Sequence, residues 1–297
     1  MSYFLAFCLA LCWGTAFLFS KNIVDALPPY WGAFCRVLAG LLFFAVFFGV
    51  RRAQLKCPLK ELWRPYTISF LLVLFPFAAL SWGLQHTVPT VAGIFNGTVP
   101  IWSFLFAAIL IKGEDRFTWR RAAGVLFGLV GLLIIMRPQW QAALYAPLGT
   151  MALYGYGALL LMAISYGLGN VLTKKIMVDN KTLGWEANTF HQYLFATGVL
   201  LIISFAFEPL PLLSAFTPKV IISIACAGVF SSAMAFLLMV MLIRRWGATR
   251  MASVTYFSPV IAMGTDILFR ARTPNSTELA GLIFIFISLW LIQKKVD

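Results

Sequence analysis

Acidic residues are scarce in this sequence: ten Asp and Glu among 297 residues, beside two histidines. Hydrolytic chemistry needs paired acids, a nucleophile with its base, or a metal cluster. The long apolar segments hold one Asp, Asp266, and one well-embedded His, His191, and the sequence contains neither H-E-x-x-H nor G-x-S-x-G. That scarcity argues against an enzyme. A glycine-rich phosphate loop is also missing, which argues against ATP hydrolysis by this chain. The cysteines, Cys8, Cys12, Cys35, Cys57 and Cys226, form no C-x-x-C pair, and all but Cys57 lie inside apolar segments. They read as small core residues rather than a disulfide framework or a metal site. Neither a metal nor a cofactor is expected.

What is abundant is apolar surface. Hydrophobic residues make up 61% of the chain and charged ones 11%, with a mean hydropathy of +0.89, far from the roughly half-apolar usage of soluble domains. A membrane-spanning helix takes about 20 apolar residues. Apolar runs between charged or Pro/Gly-rich breaks predict spans near 3–20, 29–49, 66–85, 89–111 and 118–136, then 152–173, 185–206, 218–243, 248–269 and 278–293. The expected fold class is an all-α integral membrane protein with ten transmembrane helices and short loops. The N-terminal run lacks the basic flank of a signal peptide and is read as a retained helix.

With ten spans, the Lys and Arg of alternate connections divide unequally. Seventeen fall on the side of both termini and five on the other, with Arg36 inside the second span. This positive-inside bias predicts cytoplasmic N and C termini; the expected location is a bacterial inner (plasma) membrane. The bias also accounts for the net charge of +13 through contact with anionic headgroups, so no nucleic-acid partner is needed.

The chain repeats itself. "CWGTAFLFSK" (Cys12 to Lys21) aligns with "SYGLGNVLTK" (Ser165 to Lys174) at an offset of 153, and "NGTVPIW" around Pro100 has a weaker counterpart, "VTYFSPVIA" around Pro259, at an offset of 159. Two five-helix halves, 1–137 and 150–297 joined by 138–149, account for this. Because five is odd, the halves enter the membrane from opposite sides, and such inverted repeats carry alternating access about a midplane site.

Together "WGTAF", "FCRVLAGLLFF", "NGTVPIWSFLFAAILIKGEDRFTWRRAAGVLFGLVGLLIIMRP", "GNVLTKK" and "RWGATRMASVTYFSPVIA" resemble the EamA-type members of the drug/metabolite transporter superfamily over nearly the whole chain. The resemblance implies a ten-helix bundle that exports or exchanges small metabolites, with the fourth and ninth spans beside a central cavity. One departure stands out: Glu114 follows Pro100 by 14 residues, whereas Thr273 takes the matching place after Pro259.

Polar groups in lipid need partners, so they face the bundle interior or a wet cavity. By depth, Trp13, Asn96, Pro100, Trp102, Tyr256 and Pro259 fall near the bilayer middle, and Asn170, His191 and Gln192 in the inner third. Trp13, Asn96, Trp102, Tyr166, Asn170, His191 and Tyr256 form a candidate substrate site whose aromatic rings suit an apolar or aromatic metabolite, or a cation. Asn96 is equally placed for an interhelical hydrogen bond or for lining the cavity. Pro100 and Pro259 are expected as kinks or hinges, Pro100 freeing the Asn96 carbonyl. Arg36 and Asp266, the two charges within spans, share the outer third; Arg36 suits a substrate carboxylate, a gate or backbone carbonyls. The expected partners are a small-molecule substrate, such as an amino acid or a related amphipathic compound, and the lipid bilayer. His191 and Asp266 are the titratable candidates for proton coupling, which leaves proton antiport, exchange against a counter-substrate and facilitated diffusion open. The rival reading is a receptor or structural membrane protein that moves nothing.

Overall fold

The computed structural model describes residues 2–111, 118–137, 141, 149–178, 183–258, 260–261 and 276–293. Among the described residues every regular element is helical. Among the described residues, eight helices are long and apolar enough to cross a membrane. Of the ten expected spans, the fifth is a helix of 17 residues, Trp119–Ile135, about 25 Å long at 1.5 Å per residue and just short of the usual spanning length. The ninth is described to residue 258 and at 260–261, so Pro259 and Asp266 both lie outside the described residues.

The first half contains α1 (Ser2–Val24), α2 (Pro29–Val50), α3 (Trp63–Ser69), α4 (Phe75–His86), α5 (Pro89–Asn96), α6 (Val99–Leu110) and α7 (Trp119–Ile135). The second contains α8 (Thr150–Leu172), α9 (Trp185–Phe207), α10 (Pro218–Ala225), α11 (Ala235–Trp246), α12 (Ala248–Ala252) and α13 (Ser276–Gln293). The long helices α1, α9 and α13 show almost no amphipathic face, as expected where lipid replaces water. Their ends are fixed chemically. Pro29 opens α2, and the Glu208 carboxylate accepts the Tyr30 and Trp31 backbone N–H groups at 3.0 Å, an anion on a helix N-terminus. Burial pushes the Glu208 carboxyl up from its ordinary range, and those two N–H groups pull part of the way back. Thr118 caps α7 by accepting the Arg121 N–H. Gly247, at φ 81°, turns the chain sharply between α11 and α12, a conformation that favours glycine.

Three spans widen into π-helix, at Phe70–Leu74 between α3 and α4, at Thr173–Val178 after α8, and at Cys226–Met234 between α10 and α11. Such segments concentrate at functional positions. The fourth span breaks at Gly97–Thr98, and the ninth passes from α12 into a 3-10 segment, Ser253–Phe257.

Helices α1, α2, α4, α6, α8, α9 and the Cys226–Met234 segment pack around a common centre. Close approach comes from small residues: a Cβ on Gly40 of α2 would lie 2.6 Å from the Tyr193 ring, and one on Gly228 would lie 2.4 Å from the Arg36 carbonyl oxygen. Helices α7 and α13 pack chiefly on one another, through Gly124, Gly128, Gly131 and Gly281, the small-residue faces that let membrane helices touch. Both chain ends reach the 245–250 segment: Arg245 bonds the Ser2 hydroxyl, and Arg250 Nε donates to the Ile292 carbonyl.

Candidate functional site

A cavity opens at the centre of the bundle, with about 80 Å³ available to the centres of water molecules. One water needs about 10–15 Å³ on a comparable measure, so the space suits a small solute. Its wall is mainly apolar, with Trp13, Phe17, Phe77 and Phe236 among the aromatics, and its polar groups include Arg36, Asn96, Asn170, Tyr166, Tyr193, Ser231, Ser232 and Thr255.

The lining is organised in pairs. Trp13 and Tyr166, like Phe17 and Asn170, stand 153 residues apart; Leu72 and Ser231, Val73 and Ser232, Phe77 and Phe236, Leu80 and Met239, and Asn96 and Thr255 each stand 159 apart. These are the two offsets at which the sequence repeats. The backbone irregularities pair in the same way: the π-helical stretches around Leu72 and Ser231 face the cavity, as do the break beside Asn96 and the 3-10 segment that carries Thr255.

Of the residues selected by depth, Trp13, Asn96, Tyr166, Asn170 and Arg36 line the cavity. Asn96 is part-buried on the cavity wall, and its amide has no hydrogen-bond partner among the described residues. Asn170 points its amide at Ser103 Oγ, 3.3 Å away, while bordering the same space.

Four expectations are corrected by the geometry. Trp102 does not line the cavity: its indole N–H donates to Thr98 Oγ1 at 3.1 Å, and its ring packs with Val99, Ala163 and Ala252. Tyr256 is fully buried on the far side of its segment, where its hydroxyl donates to the Val125 carbonyl at 2.8 Å and its ring covers Gly128. His191 turns outward from α9, with Nε2 3.0 Å from the Leu55 carbonyl in the loop after α2. Pro100 does not kink a continuous helix; it sits in the first turn of α6, after the break, where its missing N–H is harmless.

Sequence reasoning missed Tyr193, Phe77, Phe236, Ser231 and Ser232. The 159-residue offset that aligned Pro100 with Pro259 also aligns Phe77 with Phe236, and following it through the third and eighth spans would have found them. Tyr193 and Arg36 bring the second and seventh spans to the cavity, an approach set by Gly40 and Gly228.

Arg36 dominates the electrostatics. It is 5% exposed. Nε donates to Ser232 Oγ at 2.8 Å and Nη1 to Ser20 Oγ at 2.9 Å, and the guanidinium lies over the Phe77 ring, 4.1 Å from its centroid. Each serine hydroxyl spends its own hydrogen on a backbone carbonyl, Ser232 on Ala227 and Ser20 on Ala16. Both therefore offer Arg36 a lone pair and no charge. Removing a cation from water costs several kcal/mol, and no carboxylate of the described residues lies within ion-pair distance of it.

Comparison with known proteins agrees with this architecture. The profile of the EamA-like transporter family matches residues 1–137 and 153–293. The chain is 28% identical to the uncharacterized transporter YvbV of Bacillus subtilis, over 97% of this chain and 90% of that one. It is 24% identical to an S-adenosylmethionine uptake transporter of Rickettsia prowazekii, over 96% and 92% of the two chains. A probable amino-acid metabolite efflux pump of Salmonella typhimurium is 23% identical, over 97% and 93%. A solved crystal structure superposes with a TM-score of 0.73 at 18% identity, covering 98% of this chain and 96% of the other, a likeness of fold.

Proposed function

The chain belongs to the EamA-like transporter family, and from that premise we propose that it is a secondary transporter exporting or exchanging a small amphipathic metabolite, an amino acid or a related aromatic compound, by alternating access at the central cavity. It is built as ten transmembrane helices in two inverted repeats, 1–137 and 150–297, linked by 138–149, with both termini in the cytoplasm. The observation that carries this reading is the pairing of cavity-lining residues at the offsets of the internal repeat. Two halves that surround one site in opposite orientations can exchange roles, so the packing that opens one side has a near-equivalent that opens the other. The shared approach of both chain ends to the 245–250 segment supports termini on one side.

Asn96 and Thr255 supply the paired polar contacts on the broken fourth and ninth spans, with Trp13, Tyr166 and Asn170 completing the substrate surface. The relatives' names include both an uptake transporter and an efflux pump, so direction follows from the gradient and partner ion or counter-substrate rather than from the fold. The test is solute flux into proteoliposomes across a metabolite panel. Wild-type protein should move at least one amphipathic solute, and Asn96→Ala should slow that flux about fivefold, as expected for losing one hydrogen bond of about 1 kcal/mol. Tight binding without movement of any solute would instead identify a receptor.

A further inference from the structure

We propose that the solute carries a carboxylate and that Arg36 seats it, an assignment that rests on the transport reading and names the chemistry of the same site. Three observations converge. First, the Arg36 cradle is neutral. Ser232 and Ser20 hold Nε and Nη1, leaving Nη2 without a partner among the described residues in a side chain that borders the cavity. An arginine placed only for packing would be neutralised or have its nitrogens used up; this one has only neutral partners and borders the space.

Second, further donors gather around it. The Tyr166 and Tyr193 side chains line the same cavity as Arg36, and their hydroxyls have no hydrogen-bond partner among the described residues. Ser231, 2% exposed on the same wall, has a buried hydroxyl without a partner. A guanidinium edge with nearby phenol and serine hydroxyls is a donor set for an anion with two oxygens.

Third, the set is one-sided. Across the repeat, Ser231 and Ser232 are matched by Leu72 and Val73, and the rest of the wall is largely apolar. A solute with one anionic end and an apolar or aromatic body fits that division. An organic cation is disfavoured beside Arg36, because the guanidinium already covers the Phe77 face and like charges repel.

The experiment uses the full chain in detergent and in proteoliposomes, with three probes that share a phenyl body: 3-phenylpropionate, phenylalanine and phenethylamine. Both carboxylates should bind more tightly than phenethylamine, one of them by about tenfold or more, equivalent to about 1.4 kcal/mol. Tyr193→Phe, which keeps the ring, should lower carboxylate affinity and leave phenethylamine unchanged. Arg36→Gln should erase the preference while Arg36→Lys keeps part of it; if Arg36→Gln does not fold, the Tyr193→Phe comparison and the wild-type ranking decide. Phenethylamine bound as well as the carboxylates, or no binding of either carboxylate, overturns the carboxylate seat. Movement of phenethylamine alone would do so while leaving transport intact, whereas absence of flux for these probes and the wider panel would remove the transport reading as well.

Discussion

Gly131→Val should leave little correctly folded protein. A Cβ at position 131 would sit 2.8 Å from the Gly281 carbonyl oxygen, 2.9 Å from the Ile285 side chain and 3.0 Å from the Ile285 backbone nitrogen. Backbone atoms cannot swing aside as a side-chain end can, so α7 and α13 must separate. The same seam holds Gly128 against the Tyr256 ring and Gly281 against the Gly131 carbonyl, and its opening propagates to the segment carrying Thr255. Overpacking of a tight interior costs about 1–3 kcal/mol and sometimes more; with the obstruction in backbone, the upper end or beyond is expected. In lipid, where helix association relies on packing rather than on exclusion of water, little compensates. The measurement is the monodisperse fraction and thermal midpoint in detergent beside Gly157→Val, where an added Cβ meets nothing within 4 Å. Equal behaviour of the two variants would show that the α7–α13 seam is not close-packed.

Ala16→Phe should abolish flux, by more than about tenfold, while the protein remains folded. Ala16 lies on α1 and borders the cavity between Trp13 and Phe17; an added phenyl ring there competes directly for a space of about 80 Å³. An empty space accepts a side chain at far lower cost than a filled core does, so loss of activity should not be accompanied by loss of yield. The matched variant is Leu18→Phe, on the same helix but 61% exposed, which should transport as the wild type does. Retained flux in Ala16→Phe would show that solute does not pass through this cavity.

Much of this architecture was legible because lipid imposes simple rules. Apolar runs near the membrane thickness gave the helices, and most predicted boundaries lie within a few residues of those found, such as 185–206 against Trp185–Phe207. The interruptions were less legible. Pro100 signalled a break, but whether a proline kinks a helix or begins a new one depends on the φ and ψ of Gly97 and Thr98, which residue type does not determine. The π-helical stretches have no comparable sequence mark.

For the site, depth found Trp13, Asn96, Tyr166, Asn170 and Arg36 but also admitted Trp102, Tyr256 and His191, which sit at suitable depth and face elsewhere. Rotation about the helix axis decides this, and helices that are apolar all round carry little periodic signal of which face turns inward. Where a polar tip finds a backbone carbonyl or a neighbouring hydroxyl, as Tyr256 does at Val125 and Trp102 at Thr98, the membrane's demand for a partner is met without any cavity. The repeat offset, carried through the third and eighth spans, is the sharper guide, since it pairs Phe77 with Phe236 and Asn96 with Thr255 irrespective of hydropathy.

Under alternating access, one cavity should face each side of the membrane in turn. Five free cysteines, Cys8, Cys12, Cys35, Cys57 and Cys226, can be replaced to give a thiol-free background, into which Asn96→Cys places a single thiol on the cavity wall. A membrane-impermeant maleimide is then applied to proteoliposomes from the outside or sealed within, with and without a transported solute. Labelling is expected from either face, slowed from both by the solute. Labelling confined to one face, whether or not solute is present, would contradict alternating access.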